Sequence, residues 1–327
     1  MSIRSLVKSV AFATLGSPAA AAMRLRQIAK SDVLTVLNLH RVAPYDGSTY
    51  PPLDPQLFKE LVVFCLTHFE ITTFGEAGSH KSTKPQLIFS FDDGYKDFFE
   101  YAAPVLQEFG LRCNQNVIPH SIETGLPPFN VVLNDFAGMV SEDVLKKCEF
   151  PGFRRYNRAE GRYAWGNALS HWFKCRSMTE QRALAEAIAP QLGIGSNFSP
   201  TPMMTLVEVR EIAAVHEIGA HSFEHASLSY ESDAYISEDA RRCRTWFREQ
   251  LGNETPIYAL PNGDFREKQL DLIEAEGYST ILLVGHRFTT PRERRPYRFN
   301  FDASSRSEMR FKALGGIAPI TANRRTY

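Results

Sequence analysis

The sequence has no excess of charge of either sign. Its 327 residues include 37 Lys and Arg and 37 Asp and Glu, so the formal net charge at pH 7 is zero. Nucleic-acid-binding proteins usually carry a basic excess, and the balanced composition therefore predicts no nucleic-acid partner. A short basic run at 292–298 would still suit an anionic substrate or a membrane surface.

Cysteine is scarce, and no two cysteines lie close together in the sequence. There are five, an odd number: Cys65, Cys113, Cys148, Cys175 and Cys243. This spacing offers neither a disulfide framework nor a Cys-x-x-Cys zinc site. It favours a reducing compartment, and we therefore expect a cytoplasmic protein.

Long apolar runs are missing as well, and no stretch of 18 apolar residues predicts a membrane span. Residues 1–30 have the basic residues and short apolar run of a secretion signal. A Gly-Ser-Pro break at 16–18 and the later Arg24 and Arg26 favour an amphipathic N-terminal helix, with peripheral membrane contact left open. A cleaved signal, the alternative, would instead export the protein.

Short apolar runs alternate with helical patterns along most of the chain, and we find no internal repeat. Such alternation with short connections predicts parallel βα units. We expect residues 31–327 to form one α/β catalytic domain. Strands are predicted at 33–40, 85–91, 112–118, 216–222, 256–265 and 279–284, and helices at 54–69, 95–110, 205–215, 237–252 and 266–278.

Residues 121–200 interrupt this alternation. They are rich in turn-forming and aromatic residues around one helical pattern at about 178–190. We interpret them as an insertion. Its role stays open between a lid or substrate subsite and an inert surface excursion.

Two adjacent carboxylates, Asp92 and Asp93, end the predicted strand at 85–91 and precede Gly94. Taken alone, Asp-Asp-Gly is more often a turn, because Asp bonds its own backbone and Gly accepts positive φ. In parallel α/β folds, however, active sites lie at the C-terminal ends of strands. The pair therefore has a catalytic interpretation beside the structural one.

His221 and His225 follow another predicted strand end. Neutral imidazoles are common zinc ligands, and a helical turn after the strand would bring positions i and i+4 to one ion. Two unrelated surface histidines are the alternative. Combined with the two carboxylates, the pattern suggests that one carboxylate binds metal while the other moves protons.

The chain resembles the polysaccharide deacetylases, carbohydrate esterase family four. The resemblance rests on two motifs, SFDDGY at 90–95 and HSFEH at 221–225, which are similar to the first two motifs of that family. Three further segments, LNLHRV, LPNGDF and YRFNF, are similar to parts of its longer members. The resemblance extends from about residue 33, although 121–200 fit poorly.

This resemblance implies a distorted (β/α)7 barrel with parallel strands and one bound divalent metal, with zinc favoured. It also implies hydrolysis of an N- or O-acetyl group on a sugar or polysaccharide. Transferred onto this sequence, the family's metal ligands are Asp93, His221 and His225, and its general base is Asp92.

The third family motif, usually Arg-x-Pro-Tyr, departs from the pattern. Residues 259–262 read Ala-Leu-Pro-Asn, so the arginine that normally orients the base is missing, and so is the tyrosine. Support for Asp92 must therefore come from elsewhere. The oxyanion contact is a backbone N–H, which Asn262 can still supply.

The family's general acid is a late histidine in a Leu-x-His setting, and two residues compete for this role. His286 follows its leucine by one residue too many, whereas His40 ends the first predicted strand. We expect both near the metal and prefer His40, because rigid elements position catalytic groups better. A structural histidine at position 40 and a loop histidine at 286 are the alternatives.

The sequence thus predicts a metal-dependent carbohydrate deacetylase. A related hydrolase of another C–N bond, in a formamide or a cyclic amide, remains an alternative. A catalytically silent carbohydrate-binding protein is disfavoured, because all four metal and base residues are present. The sequence does not indicate an oligomeric state.

Overall fold

Parallel strands form one sheet in the computed structural model, which describes residues 10–320. Every pairing between these strands is parallel. The strands are β1 (Leu34–Leu39), β2 (Glu70–Ile71), β3 (Gln86–Phe91), β4 (Asn114–Val117), β5 (Glu217–Ala220), β6 (Ile257–Ala259), β7 (Thr280–Val284) and β8 (Tyr297–Asn300).

The sheet closes because β1 pairs with β3 on one side and with β8 on the other. The remaining strands follow in the order β8, β7, β6, β5, β4 and β3. The two-residue β2 pairs only with the beginning of β3 and lies outside the ring. Seven parallel strands therefore form the barrel, which confirms the predicted distorted (β/α)7 fold.

The barrel interior changes from apolar to polar along the strands. Leu34, Val36 and Ile88 form a buried apolar cluster at the N-terminal ends of β1 and β3, against Phe74. Asn38 and Ser90, two residues further along these strands, are also buried. Because side chains alternate between the faces of a strand, the last inward positions of β1 and β3 carry polar groups to the C-terminal end.

Helices surround the barrel, and several of them lie where the sequence predicts a helix. They are α1 (Pro18–Ala29), α2 (Pro55–His68), α3 (Ala103–Glu108), α4 (Pro119–Thr124), α5 (Phe129–Met139), α6 (Glu142–Lys147), α7 (Arg162–Lys174), α8 (Met178–Leu192), α9 (Leu206–Ala213), α10 (Asp233–Leu251), α11 (Glu267–Ala275) and α12 (Arg306–Ala313).

Capping residues explain where several helices begin. Asp54 accepts a hydrogen bond from the Leu57 N–H at the start of α2, and Thr205 forms a capping box with Glu208 in α9. Helix α10 begins four residues earlier than predicted, because Ser232 caps it. Side-chain acceptors satisfy backbone N–H groups that have no partner inside a helix.

The described part of the N-terminal segment is largely helical, as predicted. Ala21 and Ile28 of α1 belong to the main core, and Arg24 Nε donates to the Leu314 carbonyl at 3.2 Å. Residues 1–9 lie outside the described part, and cleavage of a signal stays a prediction. Within 10–320, no helix has the length and apolar content needed to cross a bilayer. All five cysteines are unpaired.

The insertion is more helical than predicted, since 121–200 contain most of α4 and all of α5 to α8. Its aromatic residues form a second core rather than loops. Phe150 lies between Trp165 and Phe136, with ring centroids 5.7 and 6.1 Å away. The prediction missed α5 and α7 because much of their buried surface lies against other parts of the insertion.

Helices α5 and α7 pack closely on the loop that follows β1. A Cβ at Gly138 would lie 2.1 Å from the Gly47 carbonyl oxygen, so this backbone approach requires glycine. The Thr49 hydroxyl contacts Asn134 Oδ1 at 3.0 Å. The insertion therefore lies over the C-terminal end of the barrel.

Candidate active site

A cavity of about 320 Å³ opens at the C-terminal ends of the barrel strands. A larger surface groove, of about 570 Å³, lies between α2 and α12 and carries none of the predicted site residues. The smaller cavity is lined by His40, Asp92, Asp93, His221, His225 and Asn262, and by side chains of α5 and α7 from the insertion.

The two adjacent carboxylates both reach this cavity because the backbone breaks the alternation of the strand. Consecutive side chains of a strand point to opposite faces. Asp93 instead has a φ of 76°, and Gly94 follows with a φ of 85°. Positive φ is uncommon outside glycine and marks a local conformational cost that the surrounding structure must offset.

Asp92 is held from one side. Its Oδ1 accepts hydrogen bonds from Arg298 Nη1 at 2.7 Å and from Asn116 Nδ2 at 2.8 Å. Its Oδ2 lies 4.0 Å from both His40 Nε2 and His221 Nε2. One carboxylate oxygen is thus fixed by β4 and β8, and the other faces the histidines.

Burial alone would raise the pKa of Asp92. The charges of Arg298, His221 and His40 more than offset this effect, and the pKa of Asp92 is held well below its usual range. The carboxyl group is therefore ionised at neutral pH, as a general base requires.

Arg298 is the support that the third motif lacks. It is fully buried, and it comes from the YRFNF segment on β8. The family resemblance includes this segment but does not indicate the role of its arginine. The available signal was an arginine in an apolar strand, since a buried charge needs a partner.

Asp93 lies between the two histidines. Its Oδ1 is 3.3 Å from His221 Nε2 and 3.4 Å from His225 Nε2. One potential ligand atom from each of the three residues lies within 4.8 Å of the others. The structure thus brings together the three residues predicted as metal ligands.

The histidines are arranged to offer nitrogen lone pairs. His221 Nδ1 lies 3.0 Å from the Ala259 carbonyl oxygen. We assign the proton to Nδ1, because a carbonyl only accepts, and Nε2 then points at Asp93 as a neutral donor atom. Burial lowers the pKa of His225 to about 3, whereas Asp92 and Asp93 outweigh burial and raise the pKa of His221.

The predicted helical turn between the histidines is wrong. Residues 221–225 form an irregular loop in which Ser222 and His225 have φ values of 59° and 63°. Buried Asp239 of α10 holds this loop by accepting from Ser222 Oγ and the Phe223 N–H, both at 2.9 Å. Asp239, and not helical spacing, brings the two imidazoles together.

The donor set fits a divalent metal. Asp93 Oδ1 is buried and has no hydrogen-bond partner among the described residues. An ionised oxygen in that state is costly unless a cation compensates it. Two imidazole nitrogens and one carboxylate suit zinc in a catalytic site, which keeps a position open for water or substrate.

Of the remaining predicted site residues, His40 and Asn262 line the cavity and His286 does not. His40 lines the cavity beside Asp92, and Asn262 lies at its edge with a φ of 61°. His286, expected near the metal ligands, lies in an exposed bend and is not among the residues that line the cavity. Strand β7 ends at Val284, which still lines the cavity, and the chain then leaves the barrel mouth.

The insertion contributes to the cavity wall, which favours the subsite alternative over an inert excursion. Asn130 and Asn134 come from α5, and Asn167, His171 and Lys174 come from α7. Sequence reasoning named none of them. Their spacing becomes informative only once α7 is known to be a helix.

Comparison with known proteins supports this description of the chain. A family model described as polysaccharide deacetylase matches residues 194–281, just over a quarter of the chain, and confirms the predicted resemblance. That span contains His221, His225 and Asn262, but neither Asp92 nor Asp93. A search of curated protein sequences found no match.

Solved structures of similar fold extend the comparison. The deacetylase PplD of Streptococcus pyogenes, in complex with acetate, is 12% identical with a TM-score of 0.56, over 87% of this chain and 99% of that chain. IcaB from Ammonifex degensii is 17% identical with a TM-score of 0.54, over 87% and 97%. A polysaccharide deacetylase from Bacillus cereus is 13% identical with a TM-score of 0.56, over 87% and 69%. At these identities the likeness shows a shared fold.

Replacing Arg298 should expose the cost of an unpaired buried carboxylate. We expect Arg298→Met to lower the free energy of unfolding by about 3–5 kcal/mol, because Asp92 loses its counter-charge. The same change in an Asp92→Asn background should cost at least ~1 kcal/mol less. Urea unfolding of the wild type, both single variants and the double variant measures this coupling.

The exposed Arg306 provides the matched control for this cycle. It bonds Glu60 through two nitrogens at 2.6 Å, and Arg306→Met should destabilise the protein far less than Arg298→Met because the pair is solvated. Additive effects at positions 92 and 298 would contradict the role assigned to the buried pair.

Proposed function

We propose that this protein is a metal-dependent hydrolase that removes acetyl groups from an N-acetylated sugar or polysaccharide, with an O-acetylated sugar as the related alternative. The observation that carries the proposal is the buried cluster of Asp93, His221 and His225 beside the arginine-held Asp92. This cluster lines a cavity at the mouth of a barrel whose fold is shared with deacetylases.

Asp93, His221 and His225 would hold the metal, with zinc favoured by the nitrogen and oxygen donor set. When bound, such an ion lowers the pKa of water and polarises a carbonyl oxygen. The neutral state of His225, which burial favours, leaves its nitrogen free to bind a cation without first losing a proton.

Asp92 is proposed as the general base. Its Oδ1 is occupied by Arg298 and Asn116, so only Oδ2 can accept a proton from an attacking water. The same two donors fix the direction of Oδ2, and a fixed direction is what proton transfer at hydrogen-bond distance requires. Once His40 has given its proton to the leaving amine, transfer of the proton from Asp92 Oδ2 to His40 Nε2 would return both groups to their starting states.

His40 is proposed as the general acid that protonates the leaving amine. It is half-buried, it lines the cavity, and its Nε2 lies on the Oδ2 side of Asp92. The Asn262 backbone N–H is proposed to donate to the developing oxyanion. The positive φ of Asn262 directs the chain sharply at the cavity edge.

The metal proposal predicts that a chelator abolishes deacetylation and that zinc restores it. The measurement is acetate release from N-acetylglucosamine oligomers, with formamide and cyclic-amide substrates assayed in parallel. Hydrolysis of only the parallel substrates would replace the proposal by the alternative C–N hydrolase. Chelator-resistant acetate release would contradict metal dependence.

The zinc content of two variants should distinguish the roles of Asp92 and Asp93. Asp92→Asn should retain the zinc content of the wild type and lose turnover, since its carboxylate is proposed to move protons. Asp93→Asn should lose zinc as well, because it removes an anionic ligand. The exposed Asp143 provides the control variant Asp143→Asn, and equal metal loss at 92 and 93 would refute the division of roles.

The two histidine candidates should differ in kcat. General acid catalysis typically contributes ~10²–10⁴ in rate, so His40→Ala should lose at least ~100-fold in kcat with metal content unchanged. His286→Ala should stay near the wild type, because that side chain is exposed outside the cavity. The reverse result would transfer the role to His286.

A further inference from the structure

One face of α7 forms a polar wall of the cavity. Asn167, Ser170, His171 and Lys174 are spaced by three, one and three residues, so they lie on the same side of the helix. All four line the cavity. The opposite side of α7, which includes Leu169, is buried in the second core, and the wall is therefore held rigidly.

Among the described residues that line this cavity, Lys174 is the only lysine or arginine. Its ammonium group has no hydrogen bond or ion pair within residues 10–320. Its backbone carbonyl accepts from Ser227 Oγ at 2.8 Å, which fixes the end of the helix. Burial lowers the pKa of Lys174, and the negative charges of Asp93 and Asp264 oppose that effect.

The two buried carboxylates do not compensate Lys174. Asp92 is paired with Arg298 at 2.7 Å. Asp93 faces the two histidine nitrogens, where a bound metal would take up its charge. Asp264 acts on Lys174 only through its charge, since it forms no ion pair with Lys174 among the described residues and does not line the cavity. A partly desolvated ammonium group without a paired carboxylate is unfavourable, and an anion from the ligand would relieve that cost.

The other groups on the wall suit a saccharide. Asn130, Asn167 and Ser170 offer neutral amide and hydroxyl groups that can exchange hydrogen bonds with sugar hydroxyls. A few polar groups of this kind around one charged residue are typical of sites that orient a small ligand.

We propose that this wall binds an anionic group, a carboxylate or a phosphate, on the acetylated saccharide, with Lys174 Nζ as the charged donor. The substrate would then be an acidic glycan or a sugar phosphate rather than a neutral polymer. This inference rests on the proposed function, because it names the substrate class of the same cavity.

The kinetic test compares charged and neutral substrates of equal length. The carboxylate arm uses a tetrasaccharide of alternating N-acetylglucosamine and glucuronate against the N-acetylglucosamine tetramer. The phosphate arm uses N-acetylglucosamine 1-phosphate against N-acetylglucosamine. The arm with the higher charged-to-neutral ratio of kcat/KM identifies the anion.

Lys174→Met should lower that ratio by about tenfold or more, mainly through KM, because it removes a hydrogen bond to a charged group. The wild-type ratio should also fall as salt is added, since screening weakens the charge interaction. Lys174→Arg should restore most of the ratio. The exposed Lys147, outside the cavity, provides the control Lys147→Met.

A binding measurement separates this inference from the proposed function. Calorimetry with zinc-loaded Asp92→Asn protein, with and without Lys174→Met, measures affinity for the charged ligands without turnover. Lys174-dependent binding with no deacetylation of any substrate would overturn the proposed function and support the anion site. A ratio and an affinity that Lys174→Met leaves unchanged, or a wild-type preference for neutral substrates, would overturn the anion site.

Discussion

The buried pair of Arg298 and Asp92 is the interaction on which the site depends. Arg298 lies on β8 and Asp92 follows β3, and β1 lies between these two strands and pairs with both. The register places Ser90 and Asn300 on either side of Asn38. The Arg298 side chain must extend past β1 to reach the Asp92 carboxylate. The pair therefore forms only when the barrel closes in this register. Two charges removed from water are costly unless their remaining hydrogen bonds are met. Ser90 and Asn116 supply two of these bonds, whereas Arg298 Nη2 has no partner among the described residues.

The two neighbouring aspartates differ in chemistry because their surroundings differ. Asp92 receives a guanidinium and an amide, so its negative charge is retained and its orientation is fixed. Asp93 receives no such donor among the described residues and instead faces two imidazole nitrogens. A single backbone torsion, the φ of 76° at Asp93, produces this separation between adjacent residues. The two identical side chains can therefore take the proposed roles of base and ligand, because the extended backbone is broken at Asp93.

Local signals in the sequence were sufficient for parallel βα units and for two motifs at strand ends, whereas the (β/α)7 barrel and the ligand set of Asp93, His221 and His225 came from the resemblance to a family. Apolar runs marked most of the strands, and the motifs fell at the ends of β3 and β5. The partner of Asp92 was not predictable in this way, because it depends on the register of strands that are about 200 residues apart. Helix α7 was missed because its aromatic residues pack within the insertion. The loop at His225 was expected to be a helical turn. Single residues with left-handed backbone torsions produce no periodic pattern in the sequence, so this loop conformation was not predictable.

Hydrogen bonds join the insertion to the two loops that carry His225 and Asn262. The Ser227 hydroxyl donates to the Lys174 carbonyl at 2.8 Å and accepts from Asn262 Nδ2 at 2.8 Å. Ser227 belongs to the segment that follows His225, so one hydroxyl joins the end of α7, the histidine loop and the loop of Asn262. A shift of α7 would therefore be transmitted to Asn262 through two hydrogen bonds. Since small displacements of positioned groups affect rate strongly, the proposed substrate contacts on the insertion and the alignment of Asn262, the proposed oxyanion donor, cannot vary independently.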